Sequence, residues 1–248
     1  SQAQALTTTQ TTYTPAEIGV QVVVADTMIR RVADASLLQN VGNLMAHAYA
    51  KKEDADGCAQ STSFTSQLGG STTVFSPGHA MAADTRLRMG NSLTTPEPAP
   101  DPIYGVFHPC TLLAVVGRII PLATTPAGAT AYGVAAGAHL GVSTSVGRQD
   151  SAMSEQLLRE GAGALGMLAG FKVYRDANFV VTSNAADSMV FSKEGLIYVN
   201  EIEPNTSRQR DESLRATELN TVGSYIWGVY RAAAYGIDCL FDAALPTS

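Results

Sequence analysis

Three groups of residues in this 248-residue chain have types and spacings that chemistry could use. Gly161, Gly163 and Gly166 spell GxGxxG, the pattern of a dinucleotide-binding turn. In such a turn a strand enters the glycines and a helix leaves them, so that a pyrophosphate meets the helix amino terminus. Here the order is reversed: the pattern predicts a helix over Met153 to Arg159 before the glycines and a strand over Phe171 to Tyr174 after them. The helix dipole then points away from the loop, and the glycines read as a tight turn feeding the strand GFKVYRD.

The second group is Arg208, Arg210, Asp211, Glu212, Arg215 and Glu218, in which both signs of charge are interleaved. Such a set would serve acid–base work inside an apolar pocket, but here both signs alternate without such a pocket around them. A solvated or inter-subunit charge network is the expected role, with Arg208, Arg210, Asp211, Glu212 and Arg215 as candidate subunit-interface residues. The third group, Tyr225, Trp227 and Tyr230, has strand spacing and reads as core or interface anchors rather than a ligand platform.

The remaining reactive residues do not assemble into a signature. His47, His79, His108 and His139 share no helix face and no HExxH spacing, and read as structural or solvated. Cys58, Cys110 and Cys239 are odd in number and far apart, with no CxxC, and read as reduced buried thiols. No GxSxG accompanies the many serines. The expectation is therefore no catalysis, no metal and no cofactor.

The elements that would position these residues are mixed. Ile18, Val20, Val22 and Val24 alternate with their neighbours as in a strand with one buried face. From Asp34 to Asp56, Leu37, Leu38, Val41, Leu44, Met45, Ala48 and Tyr49 recur at three- and four-residue spacing, predicting a long amphipathic helix that packs Leu44 inward and ends near Gly57. Gln60 to Ser76 reads as a loop. Pro77 opens a shorter helix through Met89, and Gly90-Asn91 stops it. TTPEPAPDP, Thr94 to Pro102, holds four prolines in nine residues and reads as a stiff linker and domain boundary.

Beyond the linker the pattern predicts a strand over Ile103 to Phe107, an apolar helix over Leu112 to Ile120 and an Ala/Gly/Thr-rich loop from Pro121 to Gly147 with a short strand. FSKEGLIY looks helical, EIEPN (Glu201 to Asn205) reads as a turn, and Leu214 to Glu218 and Tyr225 to Tyr230 read as paired strands. Gly236 precedes a terminal strand, Ile237 to Phe241. No internal repeat is present, and the fold class is α+β with a long helix early and sheet late.

Composition narrows the partners. Only 15% of residues are charged against 45% hydrophobic, a sparse covering for a free monomer that fits extensive subunit contacts or a compact enzyme equally. The net charge of −6 and scattered cations offer no stripe to track phosphates, so any enclosed nucleic acid would be contained rather than gripped. No apolar run reaches the ~18 residues of a membrane span, and the Thr/Gln-rich amino-terminal residues do not read as a charged-then-apolar leader. Synthesis in a cytosol is expected, as is processing or loss of something upstream of Ser1.

In the order of its elements the chain resembles the tailed-bacteriophage major capsid protein family. The stretches that carry the resemblance are Pro15 to Gly57, YGVFHP, EQLLREGAGALGMLAGFKVYRDANF and RDESLRATELNTVGSYIWGVYRAAAYGIDCLFDA. It implies a peripheral domain over residues 18–102 with the helix 34–56 as its spine, an axial domain over 103–205, return strands over 206–248, and residues 1–17 as the remnant of an extended loop. It implies self-assembly through pentamers and hexamers into an icosahedral head around double-stranded DNA, with portal, scaffolding and decoration proteins as further partners, and a place in the virion after assembly in the host cytoplasm.

Some relatives weld subunits through a Lys–Asn isopeptide bond. The chain has no Lys before Lys51, which implies non-covalent locking. An encapsulin-type bacterial compartment shares this architecture and stands as an alternative. A nucleotide-dependent soluble enzyme using Gly161 to Gly166 stands as one from another class.

Overall fold

The computed structural model describes residues 11–32, 36–92, 94, 96–113 and 164–244. The expected loop and strand between Pro121 and Gly147, the expected helix over Met153 to Arg159, and Asp34, His139, Gly161 and Gly163 lie outside them, as does the helix expected over Leu112 to Ile120 beyond a helical start at 109–113. The chain forms two compact units, one from Ser1–Asp54 and Ile197–Gly228, the other from Ala55–Leu196 and Val229–Ser248.

The first unit is built on a sheet of β1 (Ala16–Ala25), β9 (Ala216–Val229) and β8 (Leu196–Asp211), in the order β1-β9-β8 among the described residues. The alternation in β1 does what its spacing predicts. Ile18, Val20, Val22 and Val24 pair with Gly223, Thr221, Leu219 and Thr217, all four of them buried, while Glu17, Gly19, Gln21 and Val23 face outward. A short helix that the sequence reading lacks, α1 (Asp26–Arg31), follows β1.

The long helix is α2 (Leu37–Ala59), three residues later at both ends than the sequence pattern places it, and a 3-10 turn at Gln60–Ser63 continues it. Its buried stripe is narrower than expected. Met45 and Tyr49 are buried at four-residue spacing, with Tyr49 edge-on to Tyr225 at 5.9 Å, whereas Leu44 is 68% exposed. The inward placement of Leu44 is thus corrected: Met45 and Tyr49 lie on the row of the helix that meets the sheet, and Leu44, one residue round the helix from Met45, falls outside that row. Leu44→Asp is accordingly expected to leave the denaturation midpoint of the isolated chain within the ~0.5 kcal/mol typical of surface changes. A urea titration against wild type checks it.

Three further expectations fail in β8 and β9. EIEPN is no turn but the middle of β8, a strand of 16 residues. Leu214 to Glu218 and Tyr225 to Tyr230 are not partners of each other, since 216–229 is the single strand β9. FSKEGLIY is no helix: Phe191 and Ser192 end one strand, Leu196 to Tyr198 begin β8, and Gly195 N donates to Ser192 O at 2.8 Å across the turn between them.

The second unit is a seven-stranded sheet among the described residues. Its order is β2 (Gln67–Gly69), β10 (Gly236–Asp242), β7 (Ala185–Ser192), β3 (Ile103–Phe107), β5 (Phe171–Arg175) and β4 (Ala164–Leu168), with β6 (Val181–Thr182) paired to β7. The helix α3 (Pro77–Arg88) has Pro at its start and stops where Gly90 and Asn91 adopt φ of 64° and 56°, as its sequence signals predict.

Ala80, Ala83 and Leu87 of α3 join Phe75, Phe107, Phe171, Val190, Ile237 and Phe241 in the main core. The opposite sheet face carries a smaller cluster of Cys58, Phe64, Phe179 and Met189. The proline-rich stretch 94–102 lies within this unit. Ala99 is buried in the main core beside Ile103, and its N–H donates to Leu87 O at 2.9 Å. The segment Gln60 to Ser76, read as a loop, contributes β2 at the sheet edge, parallel to β10.

Candidate functional site

The charge group occupies the end of β8 and the turn into β9. Arg210 Nη2 lies 3.0 Å from Asp26 Oδ2 and its Nε 2.6 Å from Glu212 Oε1, so one guanidinium bridges α1 and the turn. The Glu212 hydrogen bond, then the charge of Asp26, hold that guanidinium above its ordinary pKa. Asp211 serves a different purpose. Its Oδ1 accepts from Ser213 Oγ at 2.6 Å, Ser213 N at 2.8 Å and Leu214 N at 3.2 Å, an Asx turn that closes the hairpin and keeps the carboxyl below the usual range. Asp26 N donates to Arg215 O at 3.0 Å, and Arg215 itself sits at φ 47°.

The structure therefore brings Arg210, Glu212 and Asp26 together and gives Asp211 to the turn. Arg208 and Arg215 project as exposed cations beside them, and Leu214 is 62% exposed. Sequence reasoning missed Asp26, which stands 184 residues from Arg210 and carries no local signal. The result is a braced, two-signed knob with an apolar residue on it.

The aromatic group lies on β9 and β8. Trp227 Nε1 donates to Glu53 O at 3.0 Å, and its ring meets Tyr198 at 4.6 Å. The Tyr198 hydroxyl is pushed up to about 12, by burial first and then by Glu53, to which it hydrogen-bonds. Trp227 thus anchors α2 to the sheet, and Tyr198 is the partner the sequence reading did not include. Tyr230 falls outside this group and packs edge-on to Tyr235 at 6.1 Å. An open groove of about 490 Å3 beside Trp227 is lined by His47, Ala50, Lys51, Glu53 and Asp54.

Among the described residues the glycines, histidines and cysteines singled out by the sequence lie at separate places in the fold. Gly166, the last glycine of GxGxxG, sits at φ 90° in β4 beside an irregularity in its pairing with β5. Ala169 and Gly170, at φ 52° and 99°, turn β4 into β5, so a strand follows the motif as expected. The strand β4 itself was not foreseen.

His79 Nδ1 is 2.9 Å from Ser76 Oγ, and its ring packs on Phe241 at 5.1 Å. His108 accepts from Cys110 N at 3.3 Å and is held below its ordinary pKa by burial, against the opposing charge of Asp176. His47 is exposed on α2. Cys58 and Cys239 are buried, Cys110 is partly buried, and none of the three is in a disulfide. Among the described residues no three His, Cys, Asp or Glu side chains converge on a metal-sized point, and no helix is long and apolar enough to cross a membrane.

No protein-family model matches the chain, and no curated protein matches it by sequence. Solved structures match along nearly its whole length. The capsid of Ralstonia phage GP4 is 13% identical, over 94% of this chain and 75% of that one, with a TM-score of 0.65. The head structure of Helicobacter pylori bacteriophage KHP40 is 9% identical, over 93% and 75%, also with a TM-score of 0.65. The holo-SrpI encapsulin complex from Synechococcus elongatus PCC 7942 is 9% identical, over 95% and 76%, with a TM-score of 0.54. The fold is the α+β fold of tailed-phage capsid proteins.

Proposed function

We propose that this chain is the major capsid protein of a tailed double-stranded DNA bacteriophage, a structural subunit without catalytic activity that assembles with copies of itself into an icosahedral head. The observation that carries this reading is the match to phage shells over more than nine-tenths of the chain at a TM-score of 0.65. Shared folds host many functions, and the surfaces add the argument from this chain's own residues. Twelve consecutive residues of β8, Val199 to Arg210, are exposed, as are Met28, Val32, Leu44 and Leu214, and this surface is open to a second copy of the chain.

In this reading α2 is the spine of the peripheral domain, and β3, β5 and β7 belong to the body of the axial domain. The knob at Arg208, Arg210, Glu212 and Arg215 meets a neighbouring subunit. Portal, scaffolding and decoration proteins are the further partners, assembly takes place in the host cytoplasm, and the DNA is enclosed without being read. The likeness to an encapsulin favours one second reading, a compartment shell around a protein cargo.

Negative-stain microscopy and size-exclusion chromatography of the purified protein test the proposal. Hollow isometric particles, or pentamers and hexamers, are expected, and a monodisperse monomer at high concentration overturns it. Particles carrying an enzyme and no nucleic acid when isolated from the native source would move the reading to the compartment shell.

The knob has its own test in the same assay. Arg210→Glu sets a third acid beside Asp26 and Glu212. The circular-dichroism melt is expected to stay near wild type because the site is at the surface, while particle yield falls at least several-fold, since every copy repeats the like-charge contact. Normal particles in normal yield would remove the knob from the interface.

A further inference from the structure

The sheet of the second unit buries a carboxylate that its neighbours leave partly unsatisfied. Asp238, in the middle of β10, is 8% exposed, and its Oδ1 has no hydrogen-bond partner. The flanking Ile237, Cys239 and Phe241 point to the other face, into the main core. In the antiparallel register Asp238 lies opposite Met189 and Leu240 lies opposite Asp187. Paired residues share a face, so Asp187 is the diagonal neighbour of Asp238 on the same side of the sheet. On the other flank the parallel strand β2 sets Gln67 beside Asp238, and the Gln67 side chain hydrogen-bonds the carboxylate.

The titratable and charged groups around Asp238 are few. The strand β7 supplies Asp187, and β10 itself supplies the buried Cys239 and, four residues on along the same face, Asp242, whose Oδ1 accepts from Ala244 N at 3.1 Å. From α3 comes Arg86, with Nη1 donating to Gln67 O at 2.8 Å. The 3-10 turn Gln60–Ser63, which touches both β7 and β10, brings no charge, and the end of α2 brings Cys58 into the apolar cluster beside Met189.

Burial first, then the negative charge of Asp187, push the Asp238 carboxyl up to about 6, with the Gln67 hydrogen bond opposing. Burial also raises Asp187. A metal ion is a poor occupant, because hard cations take six or more oxygens and no third acidic, histidine or cysteine ligand converges there among the described residues. A proton needs no such set.

We propose that Asp187 and Asp238 form a proton-linked latch on the β2–β10–β7 seam, which binds a proton in mild acid and so tightens the second unit, and releases it toward neutral pH and so weakens that unit. The sign follows from linkage. A carboxyl whose pKa is raised in the folded state makes the native protein hold the proton more tightly than the unfolded chain, so stability falls as pH rises from the unfolded value of 3.8 through about 6, and is flat above.

Thermal melts of wild type, Asp238→Asn and Asp187→Asn at intervals from about pH 5 to 8 test the latch. The wild-type Tm is expected to fall by several degrees, with an inflection near 6. Asp238→Asn should melt higher than wild type at neutral pH and lose that inflection. Asp187→Asn should keep an inflection displaced to lower pH, because one opposing charge is gone. Amide exchange at Ile237 to Phe241 should slow in acid in the wild type more than in Asp238→Asn. A pH-independent Tm difference between wild type and Asp238→Asn, or an undisplaced inflection in Asp187→Asn, overturns the proposal. Should Asp238→Asn fail to fold, the Asp187→Asn displacement decides alone.

Discussion

Phe241→Ala is expected to destabilise the second unit by about 3–5 kcal/mol, the range for emptying a fully buried aromatic site. Phe241 has no solvent exposure, its ring lies 4.8 Å from that of Phe75 and 5.1 Å from His79, and β10 is paired on both sides, to β2 and β7. Three elements would line the hole, and sheet strands held by hydrogen bonds on both edges cannot close on it. Against a total stability of about 5–15 kcal/mol, that loss removes most soluble protein at growth temperature. Phe241→Leu, which keeps most of the volume, should cost less than half as much. Guanidinium denaturation of the three proteins is the measurement, and an unchanged midpoint for Phe241→Ala would show that this ring is not in the core.

The second large effect is expected at Gly223, where α2 comes down on the sheet of the first unit. A Cβ at this position would collide with the Tyr49 hydroxyl, and Tyr49 is only 3% exposed. Gly223→Val therefore either drives Tyr49 out of its place against Tyr225 or lifts the helix, at a cost of at least about 1–3 kcal/mol for overpacking. Tyr49→Ala alone should cost about 3–5 kcal/mol. The two changes share one volume, so the double variant should be less destabilised than the sum of the singles. Strict additivity in urea titrations would refute the close approach. In a shell-forming chain both single variants should also lose particles, since α2 is in this reading the spine of the peripheral domain.

Much of the fold is legible in the sequence, and the legible parts have something in common. The strand β1 shows itself through Ile18, Val20, Val22 and Val24, α3 through Pro77 at its start and Gly90-Asn91 at its end, and β3 and β10 as short apolar runs bounded by Pro and Gly. Each signal is local: a side-chain period matching one buried face, or a residue whose backbone starts or stops an element. The candidate site was legible only as a list of charges. That Arg208, Arg210, Glu212 and Arg215 would be exposed followed from their types, but Asp211 turned out to close a hairpin and Asp26 to brace Arg210.

What the sequence by itself determined is therefore the class of the fold: mixed helices and strands in a particular order, with three cysteines that form no bridge. Tertiary structure alone decided the rest. It made β8 a strand although EIEPNTSRQRD carries no alternating apolar face, because an edge strand is held by its ladder to β9 and by contacts such as Thr206 Oγ1 to Thr221 Oγ1 at 2.8 Å. It chose Met45 and Tyr49 over Leu44 as the row α2 buries, because Tyr225 and Trp227 of β9 and Tyr198 of β8 receive that side of the helix. And it set Asp187 beside Asp238, two unremarkable aspartates in sequence, because strand register brings together residues whose separation along the chain says nothing of their distance in space.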